Sequence, residues 1–316
     1  MNRYIFFLGT HSALAATEAW GLLNVSGFHI ETVRVHNNIL SVESSHDLAP
    51  DFLHNLGGTP RIARELARWS QQPTAENILD ELAPLPARWT LGINSLGMSL
   101  NIKTLGTTLK KLARKRNSRL TFILPSPGAR LLNAAQIMTY SLSEPPNADL
   151  ILWRDEHAWV LLQTLAAQNI TAYERRDTAR PARDPFVGML PPKVAQMMLN
   201  ITRFHVPGAH KPHVILDPFC GLGTVLQEGW LLGCRMIGTD ASKTMIKSSG
   251  RNMQWLFDHF HPSKHLQPEL RVHDIQQPFP ADWTNTIDAV VTEPYLGHPL
   301  SSPPSGSTIN KTFLKL

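Results

Sequence analysis

The feature that most constrains this chain is Asp217-Pro218-Phe219-Cys220-Gly221-Leu222-Gly223-Thr224, which follows the apolar run Val214-Ile215-Leu216 and precedes a helical pattern from Val225 to Leu232. A buried strand that enters a glycine-bearing turn and then a helix is the setting in which open α/β sheets bind nucleotide-like ligands. From about residue 185 onward the sequence alternates strand and helix, the mark of a parallel sheet covered by helices. Pro191-Pro192 open a helix reaching Phe204, and Met236-Ile237-Gly238 reads as the next strand. A helix from Thr244 to Phe257, a strand at Leu270-Arg271-Val272 and another at Ile287 to Val291 follow.

Gly221 and Gly223 would let backbone approach a ligand, because a Cβ there would fill the space. Phe219 and Thr224 belong to the same candidate loop, with Asp217 at its head. Asp240 ends the next strand, where a carboxylate can hold ribose hydroxyls, and Asp274 ends the one after, where a carboxylate or backbone group can meet an adenine amine. Each acid alone reads equally as a helix N-cap. Three acids at three successive strand ends point instead to a bound cofactor. Cys220 reads as a small buried residue, since no neighbouring base would activate it.

The first half has a different pattern. Residues 3–8 are rich in β-formers, Ser12 to Leu23 reads as a helix, and Phe28 to Val35 with Asn38 to Glu43 reads as two strands around a turn. Residues 60–69 and 74–82 read as helices. Then come a strand at Thr90 to Ser95, a helix at Leu105 to Arg116, a strand at Arg119 to Leu124, a helix at Asn133 to Leu142, and a hairpin turning at Asp155-Glu156-His157. The charge-rich segment from Ile170 to Asp184 reads as a linker. At 316 residues the chain suits two or three domains, given ~100–150 residues for each.

Charge distribution says more than the net value of +5. Between Asn101 and Ser143 lie eight basic residues and no acidic one. Lys110, Lys111, Arg114, Lys115 and Arg116 crowd one helix, the electrostatic footprint of a face that binds a polyanion such as nucleic acid. The alternative is a solvated helix face whose compensating acids lie elsewhere in the fold. With two separated cysteines, a disulfide framework is not expected and a reducing, cytoplasmic setting fits. The apolar run after Met1 is too short for an export signal, and no stretch approaches the ~20 apolar residues of a membrane span. His259, His261 and His265 have loose metal-like spacing but too few ligands for a closed site, so no metal is expected.

On these residues the chain resembles the THUMP-containing RNA methyltransferases, with Asp217 to Thr224 as their S-adenosylmethionine loop. Gly188-Met189-Leu190-Pro191-Pro192-Lys193 resembles the helix start that precedes that loop, and Thr292-Glu293-Pro294-Tyr295 sits where the family carries Asp-Pro-Pro-Tyr. The tRNA guanine-10 N2-methyltransferases match best. The resemblance implies an α/β chain with a ferredoxin-like unit over 1–70, a THUMP RNA-binding unit over 71–167, a linker over 168–184 and a class I, Rossmann-like methyltransferase sheet over 185–316. It implies methyl transfer from S-adenosylmethionine to an exocyclic amine of tRNA, N2 of guanosine 10, with no obligate protein partner. An exocyclic guanine amine is a poor nucleophile, so acceptors on its N–H bonds and correct positioning carry the chemistry. The resemblance gives Thr292, Glu293 and Pro294 the acceptor role and Tyr295 the stacking role against an extruded base. Thr292 replaces the family's carboxylate, which has moved to Glu293, so either residue can be the acceptor. A catalytically impaired tRNA-binding protein is the alternative. Four strands precede the Ser/Pro-rich end of the chain, fewer than the seven the resemblance implies. The sheet is therefore expected to be incomplete and little turnover is expected, with the fourth strand left as an uncovered apolar edge.

Overall fold

The computed structural model describes residues 1–98, 100–183, 189–205, 213–283 and 285–294. The chain divides into two compact units, Met1–Ala179 with Pro192–Lys211 and Arg180–Pro191 with Pro212–Leu316.

The first unit contains β1 (Asn2–Phe7), α1 (Ser12–Val25), β2 (Thr32–His36), β3 (Ile39–Ser44), β4 (Arg61–Trp69), α2 (Ala75–Glu81), β5 (Arg88–Leu96), α3 (Ile102–Lys115), β6 (Arg119–Ile123), α4 (Ala134–Thr139), β7 (Ala148–Arg154), β8 (Trp159–Ala167), α5 (Ile170–Thr178) and α6 (Pro192–His205). Its strands form one sheet in the order β2-β3-β1-β4-β8-β7-β5-β6. Neighbours are antiparallel except at β5, which runs parallel to both β6 and β7. Residues 3–8 lack clean alternation because both faces of β1 are buried. Tyr4 and Phe6 pack on one side with Ala15, Ala19 and Leu23 of α1, while Ile5 packs on the other with Ala63, Ile151, Val160 and Leu162.

Three sequence expectations change here. Residues 60–69 are the strand β4 rather than a helix, hydrogen-bonded to β1 and β8. Two register shifts explain the misleading period: Leu165 is extra on β8 and Leu66 extra on β4. Such bulges break the two-residue alternation and leave spacings that mimic a helix. The β4–β8 ladder also crosses the expected division at residue 70. Second, the segment read as a linker contains α5. Asn169 caps it by accepting from the Ala172 N–H at 3.0 Å, and only Tyr173 and Arg176 are buried, too few for a visible apolar stripe. Third, α6 belongs to the first unit although its place in the sequence assigns it to the second. Asn200 Nδ2 of α6 donates to Glu18 Oε1 at 2.7 Å, and the Glu18 carboxyl also accepts from the N–H groups of Gly57 and Gly58 at 2.9 and 2.8 Å. Burial pushes this carboxyl up to about 7 against those three donors.

At the sheet centre, Arg61 and Asp149 form a buried ion pair at 3.3 Å. Asp149 also accepts from Asn94 Nδ2 at 2.6 Å and Thr164 Oγ1 at 2.5 Å, while Arg61 donates to the Leu132 carbonyl. Burial disfavours both charged forms, and the partner's charge opposes that shift in each. Truncating one member strands the other's charge. Asp149→Ala is expected to destabilise the first unit by about 3–5 kcal/mol, read as a lower denaturant midpoint. An unchanged midpoint would show that Arg61 finds other compensation.

The second unit contains β9 (Val214–Asp217), α7 (Thr224–Leu231), β10 (Arg235–Asp240), α8 (Lys243–Phe260), β11 (Glu269–Val272) and β12 (Ala289–Val290). All strands are parallel, in the order β11-β10-β9-β12. The chain steps outward from β9 to β11, then returns to the far side of β9 for β12. Among the described residues β12 pairs only with β9, and Val290 is exposed. The helix α7 is buried from Thr224 to Trp230, which fixes the glycine-bearing turn at its start.

Candidate functional site

The reversal of strand order beside β9 creates the position at which open α/β sheets take ligands, outside the carboxyl ends of the strands. Asp217 ends β9 and is buried. The turn after it is held to β10 by the Cys220 N–H, which donates to the Thr239 carbonyl at 2.8 Å, and closes on itself through the Gly223 N–H to the Cys220 carbonyl at 2.7 Å. Both glycines have positive φ, +49° at Gly221 and +84° at Gly223.

Their roles differ, which the sequence did not reveal. A Cβ on Gly221 would meet nothing closer than the Phe219 carbonyl oxygen at 4.0 Å, so the space above it is open to a ligand. A Cβ on Gly223 would lie 2.4 Å from Ser249 Oγ and 2.8 Å from Met253 Cε, because α8 packs against the turn there. Gly221 therefore leaves open space beside the backbone, whereas Gly223 allows close helix packing.

The structure brings together Asp217, Gly221, Asp240 and Thr292. Asp240 Oδ2 accepts from the Gly221 N–H at 3.1 Å, and its Oδ1 accepts from the Ser242 N–H at 2.8 Å. It is thus not the N-cap of α8; Ser242 fills that place. Asp217 Oδ1 accepts from the Thr292 hydroxyl at 2.6 Å and from the Phe219 N–H at 3.2 Å. Burial pushes the Asp217 carboxyl up to about 6 against those two donors, and the charges of Asp240 and Glu293 add to the rise. Burial also raises the Cys220 thiol well above its ordinary value, which makes it a poor nucleophile.

Other candidates stand apart. Asp274 is exposed beyond β11 and accepts from the Gln276 N–H at 3.0 Å. Thr224 is buried, with its hydroxyl accepting from Arg180 Nη1 at 2.7 Å. Glu293 and Pro294 are exposed, while Tyr295 and Gly188 lie outside the described residues. Sequence reasoning missed Arg180 and Asn252. The Asn252 amide accepts from the Ala182 N–H at 2.9 Å and donates to the Ala182 and Leu222 carbonyls at 3.0 and 2.9 Å, tying residues near 182 to the turn. No local signal marks either residue, because each acts on a partner far along the chain.

In the first unit, Lys110, Lys111, Arg114 and Lys115 on α3 and Arg116 at its C-cap are all exposed, while Leu109 and Ala113 of the helix face the core. Arg116 pairs with Asp80 at 2.7 Å, so α2 supplies one compensating acid. The parallel register of β5 and β6 sets Arg88 beside Arg119, which adds positive charge that the sequence does not place there. Among the described residues no group of three His, Cys, Asp or Glu side chains could hold a metal, and no helix is long and apolar enough to cross a membrane. His259 stacks on Trp255 with ring centroids 5.0 Å apart.

Two solved structures share this fold. TrmN from Thermus thermophilus matches with a TM-score of 0.55 at 12% identity, over 99% of this chain and 82% of that one. A possible methylase from Clostridium difficile gives 0.50 at 13% identity, over 95% and 82%. No protein-family model matches. In sequence the chain is similar to the tRNA (guanine(10)-N2)-dimethyltransferase of Methanothermobacter thermautotrophicus, 29% identical over 158 residues, which make up 49% of this chain and 41% of that protein. The protein of the same name from Pyrococcus abyssi is 28% identical over 142 residues, 45% of this chain and 38% of that protein. The chain thus matches less than half the length of these relatives.

The unequal roles of the glycines predict unequal substitutions. Gly223→Ala must adopt positive φ and also displace Ser249 or Met253, so it should cost clearly more than the ~1 kcal/mol of the backbone term alone. Gly221→Ala should cost only that term. Equal shifts in the melting of the two variants would show that α8 does not press on the turn.

Proposed function

We propose that this chain is an S-adenosylmethionine-dependent RNA methyltransferase acting on an exocyclic base amine of tRNA, N2 of guanosine 10. The observation that carries the reading is the hydrogen bond from the Thr292 hydroxyl to Asp217, which holds that side chain at the switch point beside an open glycine turn. The similarity to tRNA (guanine(10)-N2)-dimethyltransferases supports the choice of amine and of RNA. In this reading residues 1–70 form a ferredoxin-like unit and 71–167 a THUMP unit that holds RNA.

The residues fit the cofactor. The open side of Gly221 admits it, Asp217, Phe219 and Asp240 border the place where it would lie, and Asp274 stands farther out beyond β11. Thr224 holds the turn through Arg180. S-adenosylmethionine supplies an electrophilic methyl group when bound. The chain's own part is to hold the amine. Thr292 accepts an N–H without charge, with Glu293, Pro294 and Tyr295 following it in the chain. A base amine gains most of its rate from such placement, since binding converts a bimolecular encounter into a directed one.

Asp240→Ala is expected to weaken S-adenosylmethionine binding by about 1–3 kcal/mol, the cost of losing a charged hydrogen bond and the anchor of Gly221. Calorimetry on the folded variant measures it, and unchanged affinity would remove Asp240 from the site.

A second reading, a tRNA-binding protein with impaired catalysis, is favoured by the uncharged Thr292 at the acceptor position. Labelled-methyl transfer to tRNA separates the two, since binding without transfer supports the second. Both readings require an electrostatic RNA face. Affinity should fall steeply as salt rises through counterion release. Neutralising Lys110, Lys111, Arg114 and Lys115 together should reduce the slope by about 0.9 for each phosphate left without its cation. An unaltered slope would assign α3 to solvent.

A further inference from the structure

In the methyltransferase reading Thr292 stands in for a carboxylate that grips an amine, yet it is not isolated from charge. Its hydroxyl lies 2.6 Å from Asp217 Oδ1, across the gap between the ends of β12 and β9. A threonine hydroxyl has one proton and two lone pairs. Where that proton goes decides whether the side chain offers an acceptor or a donor to whatever lies beyond it.

The surroundings fix the answer. Asp217 Oδ1 also receives the Phe219 N–H at 3.2 Å, so this oxygen is engaged as an acceptor by the backbone of its own turn. An oxygen held that way leaves Thr292 to donate. With its proton committed, Thr292 has only lone pairs left to offer.

Resting on the methyltransferase reading above, we propose that Asp217 is a positioning residue whose carboxylate points and polarises the Thr292 hydroxyl, so that the two together replace the single carboxylate acceptor. The hydrogen bonds then run in series, from the amine N–H to Thr292 Oγ1 and from the Thr292 hydroxyl to Asp217. A chain in which each bond polarises the next strengthens its members, and a bond ending on an ionised acceptor is roughly twice as strong as a neutral one. Asp217 thereby lends its charge to a neutral side chain without touching the amine.

The arrangement is sensitive to protonation. The titratable groups that act on Asp217 are Asp240 at the end of β10 and Glu293 beyond β12, both acidic, and burial places the Asp217 carboxyl at about 6. The neighbouring Cys220 thiol stays protonated, being raised by burial. As pH rises through about 6, Asp217 becomes ionised and the acceptor strengthens, so transfer should accelerate. As pH falls, the bond from Thr292 ends on a neutral acid and weakens.

Two measurements on the full chain test this. The first is the turnover rate against pH with saturating S-adenosylmethionine and tRNA transcript. The wild type should lose about fivefold between about pH 7.5 and 5, the ratio separating a charged from a neutral hydrogen bond. Asp217→Asn presents the same oxygen to Phe219 and Thr292 but cannot ionise, so its profile should be flat, whatever its height. Thr292→Ser should keep the step, and Thr292→Val should lose both the step and most of the rate. A step that persists in Asp217→Asn overturns the proposal. The second measurement is the titration of the Asp217 carboxyl carbon by NMR, which needs no turnover. Removing the donor in Thr292→Val should raise the Asp217 midpoint, while Thr292→Ser should restore it. An unmoved midpoint in Thr292→Val overturns the pairing. If no variant transfers methyl groups but the midpoint moves as stated, the methyltransferase reading fails for this chain while the pairing of Asp217 with Thr292 stands.

Discussion

The second unit is organised around one buried carboxylate. Asp217 ends the strand from which the sheet grows in both directions, so anything beyond that strand end is within reach of β10 on one side and β12 on the other. Burial there would be costly for a charge without partners. The Phe219 N–H and the Thr292 hydroxyl supply them, and each anchors a different segment. The first shapes the turn, and the second fixes the residues after β12. Loss of the carboxylate would therefore loosen the glycine turn and the segment after β12 together, although they are far apart in sequence.

Around that point the turn divides its work between two glycines of similar appearance. Gly221 faces open space and is held by Asp240. Gly223 sits against Ser249 and Met253 and carries the start of α7. A site needs both an empty side and a rigid side, since a ligand must enter without the backbone that receives it giving way. The buried helix α7 and the Asn252 links to Ala182 and Leu222 provide the rigid side.

The first unit solves a different problem. Its long sheet is buried on both faces near the centre, and the Arg61–Asp149 pair sits there with Asn94 and Thr164. Charges so placed contribute little net stability but penalise any register that separates them. Positive charge gathers instead on the exposed side of α3 and at the Arg88–Arg119 corner, where only Asp80 of α2 answers Arg116 among the described ion pairs. Such a surface suits a polyanion, because side chains left in water keep their charge and need no buried partner.

The parallel sheet, its glycine turn and the acids Asp217 and Asp240 at their strand ends were legible in the sequence because each depends on residues adjacent in the chain, whereas Asp274 falls two residues past the end of β11. Val214 to Thr224 carries its strand, turn and helix start within eleven positions. The hairpin at Asp155 was legible for the same reason, since Asp155 accepts from the N–H groups of His157 and Ala158 within its own turn. What tertiary structure decided involves partners separated along the chain. β4 is a strand because β1 and β8 flank it, and its bulges hide the alternation that would have announced it. Helix α6 joins the first unit because Asn200 meets Glu18, 182 residues away. Thr292 finds Asp217 across 75 residues. No local pattern encodes such pairs, because sequence periodicity reports which face of an element is apolar, whereas the fold alone determines which two polar ends it brings together.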